Sequence, residues 1–163
     1  MEFNLLLILK ILTAAVSALV VGFVWYSPKV FGNAWMKAAS MSEEQIKGGN
    51  MGKIFALALL FAILLAFSLQ GITIHQMGAF SMVGGDVENA LPSYQAFMDD
   101  YGNTFRTFKH GVLHGALAGI FIALPILGTN ALFERKGAKY IFINSGYWIV
   151  TLAIMGGIIC GWK

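Results

Sequence analysis

Four stretches of the chain are apolar on every side, with neither the two-residue alternation of a half-buried strand nor the polar stripe of a surface helix. Charged residues are absent from Ile54 to Ile74, from Gly111 to Phe133 and from Tyr140 to Trp162. A fourth run, Leu5 to Tyr26, is interrupted only by Lys10. A helix rises ~1.5 Å per residue, so roughly 20 apolar residues cross a hydrocarbon core of ~30 Å. The pattern predicts four spanning helices, at about 5–26, 53–74, 110–132 and 140–161, in a single membrane domain covering residues 1–163. Lys10 sits inside the first apolar run, which continues for 14 residues from Ile11 to Val24. A secretory signal places its charge ahead of a shorter core, so this run is expected to be a true span.

The polar stretches between them carry their own signals. Trp25-Tyr26-Ser27-Pro28 closes the first span, with two rings suited to the headgroup layer and a proline that biases Ser27 out of helical geometry. Val30–Ala39 has the spacing of a short interfacial helix. Ser42 and Gln45 form the frame of a capping box, and Gly48-Gly49 supplies a stop. Residues 75–109 are too long for a bare connection. In them Tyr94, Phe97, Tyr101, Phe105 and Phe108 recur every three or four positions, which predicts one amphipathic helix with five rings on a face. That face either lies on the bilayer or bundle or forms an aromatic platform for a ligand. In the third span Pro125 removes a backbone hydrogen bond and predicts a bend.

Each span also carries small residues four apart: Ala14, Ala18 and Gly22; Ala58, Ala62 and Ala66; Gly111, Gly115, Gly119 and Ala123; Ala153, Gly157 and Gly161. Lipid gives no hydrophobic drive for helices to associate, so close backbone approach must supply dispersion contacts. A tight four-helix bundle is expected, and some of these strings are expected to face a second copy.

Composition agrees with the pattern. The chain has 163 residues, 58% hydrophobic and 12% charged, where a soluble domain carries about a quarter charged residues. Net charge is +3, yet the basic residues sit in short loops beside the spans, as membrane topology imposes, and nucleic-acid binding is excluded. Lys29, Lys37, Lys47, Lys53, Arg135, Lys136 and Lys139 flank one face, against Lys10, Arg106, Lys109 and Lys163 on the other. The imbalance predicts that both termini and the 75–109 loop of this multi-pass protein lie outside. One cysteine, Cys160, excludes an intrachain disulfide or CxxC pair, and its glycine-rich surroundings suit a buried small side chain.

Candidate chemistry is sparse. No Asp or Glu lies inside a span, which disfavours a proton-coupled exchanger. Thr129, Asn130, Asn144 and Ser145 cluster near one end of the last hairpin, either as hydrogen-bonded glue or as a polar permeation site. Asp99 and Asp100 are adjacent, so on a helix they diverge by ~100° and cannot act as an acid/base dyad. No phosphate cradle follows a strand, and neither HExxH nor GxSxG occurs, so no catalytic residue and no cofactor are assigned. The histidines carry more information. His110 and His114 are four apart on one helix face, and His75 ends the second span at the face where the third begins. Either they hydrogen-bond to loop 75–109 or a neighbouring helix, or they hold zinc or copper, with Met77, Glu88, Asp99 or Asp100 completing the shell.

Trp25-Tyr26-Ser27-Pro28 with Phe31-Gly32 and Trp35-Met36, then Thr129-Asn130-Ala131-Leu132-Phe133-Glu134, Ile143-Asn144-Ser145-Gly146-Tyr147, Met155-Gly156 and Trp162, resemble a bacterial membrane family known as domain of unknown function 1761. The resemblance covers nearly the whole chain and implies a small four-span bacterial protein, expected in the inner (cytoplasmic) membrane; it assigns no reaction. The expected function is a non-enzymatic membrane component in a lipid bilayer, self-associating as a homo-oligomer or serving as an accessory subunit of a larger membrane complex. The alternatives are a small-solute or ion conduit between subunits, and a metal-binding protein with an outer-face site at His75, His110 and His114.

Overall fold

All regular structure in the computed structural model, which describes residues 5–162, is helical. The elements are α1 (Leu5–Trp25), α2 (Gly32–Ala39), α3 (Glu43–Lys47), α4 (Met51–Thr73), α5 (Gln76–Met82), α6 (Pro92–Tyr101), α7 (Phe108–Ala118), α8 (Leu124–Phe133) and α9 (Ala138–Gly161). A π-helical turn over Gly119–Ala123 joins α7 to α8, so the two form one apolar rod from Phe108 to Phe133. With α1, α4 and α9 this makes four helices long and apolar enough to cross a membrane. The boundaries fall within two residues of the expected ones at nearly every end. Lys163, counted above for orientation, lies outside the described residues.

Pro125, expected to bend the third rod, lies just after a widened turn in it. The π turn ends two residues before it, and such a turn absorbs the hydrogen bond a proline cannot donate. The connection after α1 also follows its residues. Ser42 accepts from the Gln45 backbone and the Gln45 side chain accepts from the Ser42 backbone, closing the capping box of α3.

Helix α9 is the hub. It packs against α1, α4 and the α7–α8 rod, while α1 packs mainly on α4 and α9. Ala14, Ala18, Ala62, Ala66, Gly111, Gly115, Gly119 and Gly157 are all buried within the chain. The closest seam is α7 on α9. A Cβ on Gly115 would meet the Leu152 carbonyl oxygen and stand 2.9 Å from the Ala153 Cα. One on Gly111 would meet the Gly156 carbonyl oxygen, and one on Gly119 would come within 2.6 Å of the Ile149 Cα. Most of the string positions are therefore spent inside the bundle, while Gly22, Ala58, Ala123, Ala153 and Gly161 are half-buried.

Two expectations need correction. The five rings of the 75–109 loop do not share one helix. Helix α6 keeps Tyr94, Phe97 and Tyr101 and stops at Gly102, where a Cβ would collide with the Met98 carbonyl. Phe105 then turns into the left-handed region at φ +62°, and Phe108 opens α7 with its ring against Gly157. The polar residues near the last hairpin do not bridge it either. Thr129 and Asn130 are exposed, whereas Asn144 accepts from the Tyr26 hydroxyl at 2.9 Å and donates to the Tyr140 carbonyl at 2.8 Å. The link is between α9 and the end of α1, reinforced by the Trp25 indole on the Ile143 carbonyl at 3.0 Å.

Candidate metal centre

At the opposite end of the bundle α4 finishes, α7 begins, and three imidazoles meet. Helix α4 ends because Ile74 is extended, at φ −113° and ψ 100°, which swings His75 out of the helical path to precede α5. The next residue fixes that exit. Gln76 is buried, and its amide donates to the Tyr101 carbonyl at 2.6 Å and the Thr104 carbonyl at 2.9 Å. The start of α5 is thereby tied to the far end of the same loop. Across the gap, the Thr107 hydroxyl caps α7 by accepting from the His110 backbone at 3.2 Å. From that start His110 and His114 fall on one face, four residues apart, and the buried glycines Gly111 and Gly115 turn the neighbouring face to α9.

The rings are close. Their centroids are 4.9 Å apart for His75 and His110, 4.9 Å for His75 and His114, and 4.4 Å for His110 and His114. One nitrogen from each imidazole can be chosen so that all three lie within 4.8 Å of one another. The Nε2 atoms of His75 and His110 are 2.9 Å apart, a hydrogen bond that requires one of them protonated there and the other bare. His114 makes no hydrogen bond through its ring among the described residues. His75 is exposed and the other two are half-buried, so the group opens outward.

A tetrahedral zinc with Zn–N of 2.0–2.1 Å sets its ligand nitrogens about 3.3 Å apart. The 2.9 Å between the His75 and His110 Nε2 atoms and the 4.8 Å limit for the whole group lie on either side of that value. The proposed supplementary ligands are not gathered in. Among the described residues no carboxylate joins the three histidines. Asp99 accepts from the Gln95 amide at 2.7 Å on α6, Glu88 and Asp100 are exposed outside the group, and Met77 packs against the apolar core.

Phe105 is the residue that the spacing concealed. Its ring stacks on His110, with centroids 5.0 Å apart and planes 21° apart, and meets His75 edge-on at 6.0 Å. Its place in the five-ring pattern suggested a helix face, and only Gly102 signalled the break.

The loop around Phe105 is tied down from below. Arg106 donates through Nε to the Cys160 carbonyl at 3.1 Å and through Nη2 to the Trp162 carbonyl at 2.9 Å. Its charge therefore sits on the open C-terminal carbonyls of α9, where a cation is favoured. Cys160 is fully buried, as its surroundings predicted, with Sγ 3.4 Å from the Phe105 carbonyl.

Residues 9–160 match the model of a family described as "Protein of unknown function (DUF1761)". The chain belongs to that family. No curated protein and no solved structure matches it. The motif residues quoted from the sequence sit mostly at the Trp25–Asn144 end of the bundle, where Trp25, Tyr26, Asn144 and Tyr147 make hydrogen bonds. The histidines occupy the other end.

Proposed function

We propose that this multi-pass protein binds a transition metal, zinc or copper, through His75, His110 and His114. The observation that carries the reading is the convergence of three imidazoles, with one nitrogen of each lying within 4.8 Å of the others. Imidazole suits zinc and copper, and three protein ligands leave one position for water or an exogenous donor. The metal would join the end of α4 to the start of α7, the two hairpins of the bundle. No reaction is assigned to it.

Protein purified without chelator or a histidine tag is expected to carry about one equivalent of metal, and His110→Ala to lose it. Less than about one-tenth equivalent of zinc, copper or iron, with no uptake of added Zn²⁺, overturns the reading.

The setting belongs to the same proposal: a bacterial inner membrane, as the family resemblance implies, with both termini and the histidine face outside, an orientation supported by the lysine and arginine imbalance. In a Cys160→Ala background, Ser93→Cys is expected to react with an impermeant thiol reagent on intact spheroplasts and Lys136→Cys to stay unlabelled. The reverse pattern would invert the topology.

A further inference from the structure

Phe105 is a bulky residue with φ at +62°, a conformation that costs an L side chain free energy and that glycine or asparagine would take at less cost. Burial does not explain the choice, since the side chain is 60% exposed. Such strain persists only where neighbours over-determine it, and here they do. The Thr107 backbone N–H donates to the Phe105 carbonyl at 2.8 Å, Arg106 is pinned to the end of α9, and Gln76 holds the Thr104 carbonyl. What the strained conformation secures is one contact: the flat ring lies against the face of His110 and presents to His75 at a right angle.

The geometry of that contact matters for ligation. Imidazole lone pairs lie in the ring plane, so a metal approaches the edge and never the face. A ring stacked at 21° covers the face of His110, restrains its rotation about the Cβ–Cγ bond, and leaves both nitrogen edges free. The perpendicular contact restrains His75 in the same way. We propose that Phe105 is a positioning residue of the three-histidine site, holding the His110 and His75 rings with their nitrogens turned toward a shared metal. The inference rests on the metal-binding reading, and it adds a residue that does not touch the metal yet sets its affinity.

The test exploits two effects of opposite sign. Phe105→Gly relieves the backbone and removes the ring. It is expected to weaken Zn²⁺ affinity about tenfold or more, the scale of an outer-shell loss, in competition with a chromophoric chelator. It should also shift the visible absorption bands of the Co²⁺-loaded protein. The thermal midpoint of the metal-free protein should meanwhile stay level or rise, because glycine accepts φ +62° without strain. Phe105→Tyr should restore affinity and spectrum, and Phe105→Leu, which keeps bulk without a flat face, should not. Should Phe105→Gly fold poorly, Phe105→Asn provides the same left-handed tolerance. Wild-type affinity and an unchanged Co²⁺ spectrum in both the Gly and Leu variants would overturn the positioning role and leave the metal site standing. Absence of Zn²⁺ and Co²⁺ binding by the wild-type protein would overturn both.

Discussion

The α7–α9 seam and the α4–α7 seam solve the same problem, holding two apolar helices side by side, with opposite chemistry. Along the first, Gly111, Gly115 and Gly119 bring backbone onto backbone so closely that no Cβ fits. Along the second the helices touch over a shorter stretch, and the join at its open end is made of three imidazoles. In lipid the first kind of contact is self-sufficient, because dispersion between two close backbones needs no third party. The second is not, because nitrogen lone pairs turned toward one another gain little until a proton or a metal lies between them. On the proposed metal reading, the bundle has one seam fixed by the fold and one whose strength would depend on a bound metal.

The comparison can be broken most forcefully at the first seam. Gly115→Leu places a branched side chain where the Leu152 carbonyl and the Ala153 Cα already stand. Overpacking of this kind costs about 3 kcal/mol or more when the backbone must move. The variant should lose most of its thermal stability in mild detergent, with or without added zinc. A variant that unfolds at the wild-type temperature would mean that α7 and α9 do not approach as closely as their glycines allow.

What the sequence made legible follows the same division. Charge-free windows are long, and a run of that length and apolarity favours one continuous helix, so the four long helices could be read from the sequence. The glycine and alanine strings marked the tight faces for the same reason. The 75–109 loop was less legible, because a three-to-four-residue recurrence of rings reads as a helix whether or not the chain stays helical. Gly102 ended α6 and Phe105 went left-handed, and neither event leaves a periodic trace. The meeting of His110 and His114 could be read from their spacing, but the inclusion of His75 depended on Ile74 turning extended and on Gln76 tying down the loop. Asn144 was identified as glue, yet its partner, Tyr26, is 118 residues away and invisible to local pattern.

The second seam yields to a gentler experiment, and its outcome separates an occupied join from a merely structural one. A ligand that binds only the folded state stabilises it by about 2.7 kcal/mol at a free concentration ~100 times its dissociation constant. Zn²⁺ should raise the thermal midpoint of the wild-type protein accordingly. The effect should be present at neutral pH and fade as the medium is acidified through the imidazole range, because protons compete for the same lone pairs. His114→Ala should remove the zinc-dependent rise. In the metal-free protein, however, the same substitution deletes a half-buried ring that makes no hydrogen bond among the described residues. Its cost there should stay within about 0.5 kcal/mol, the range of substitutions that touch no core and no polar network. This is the smallest effect expected and the most discriminating. If His114 were structural glue like Asn144, its loss would destabilise the protein equally with and without zinc, and the contrast between the two seams would disappear.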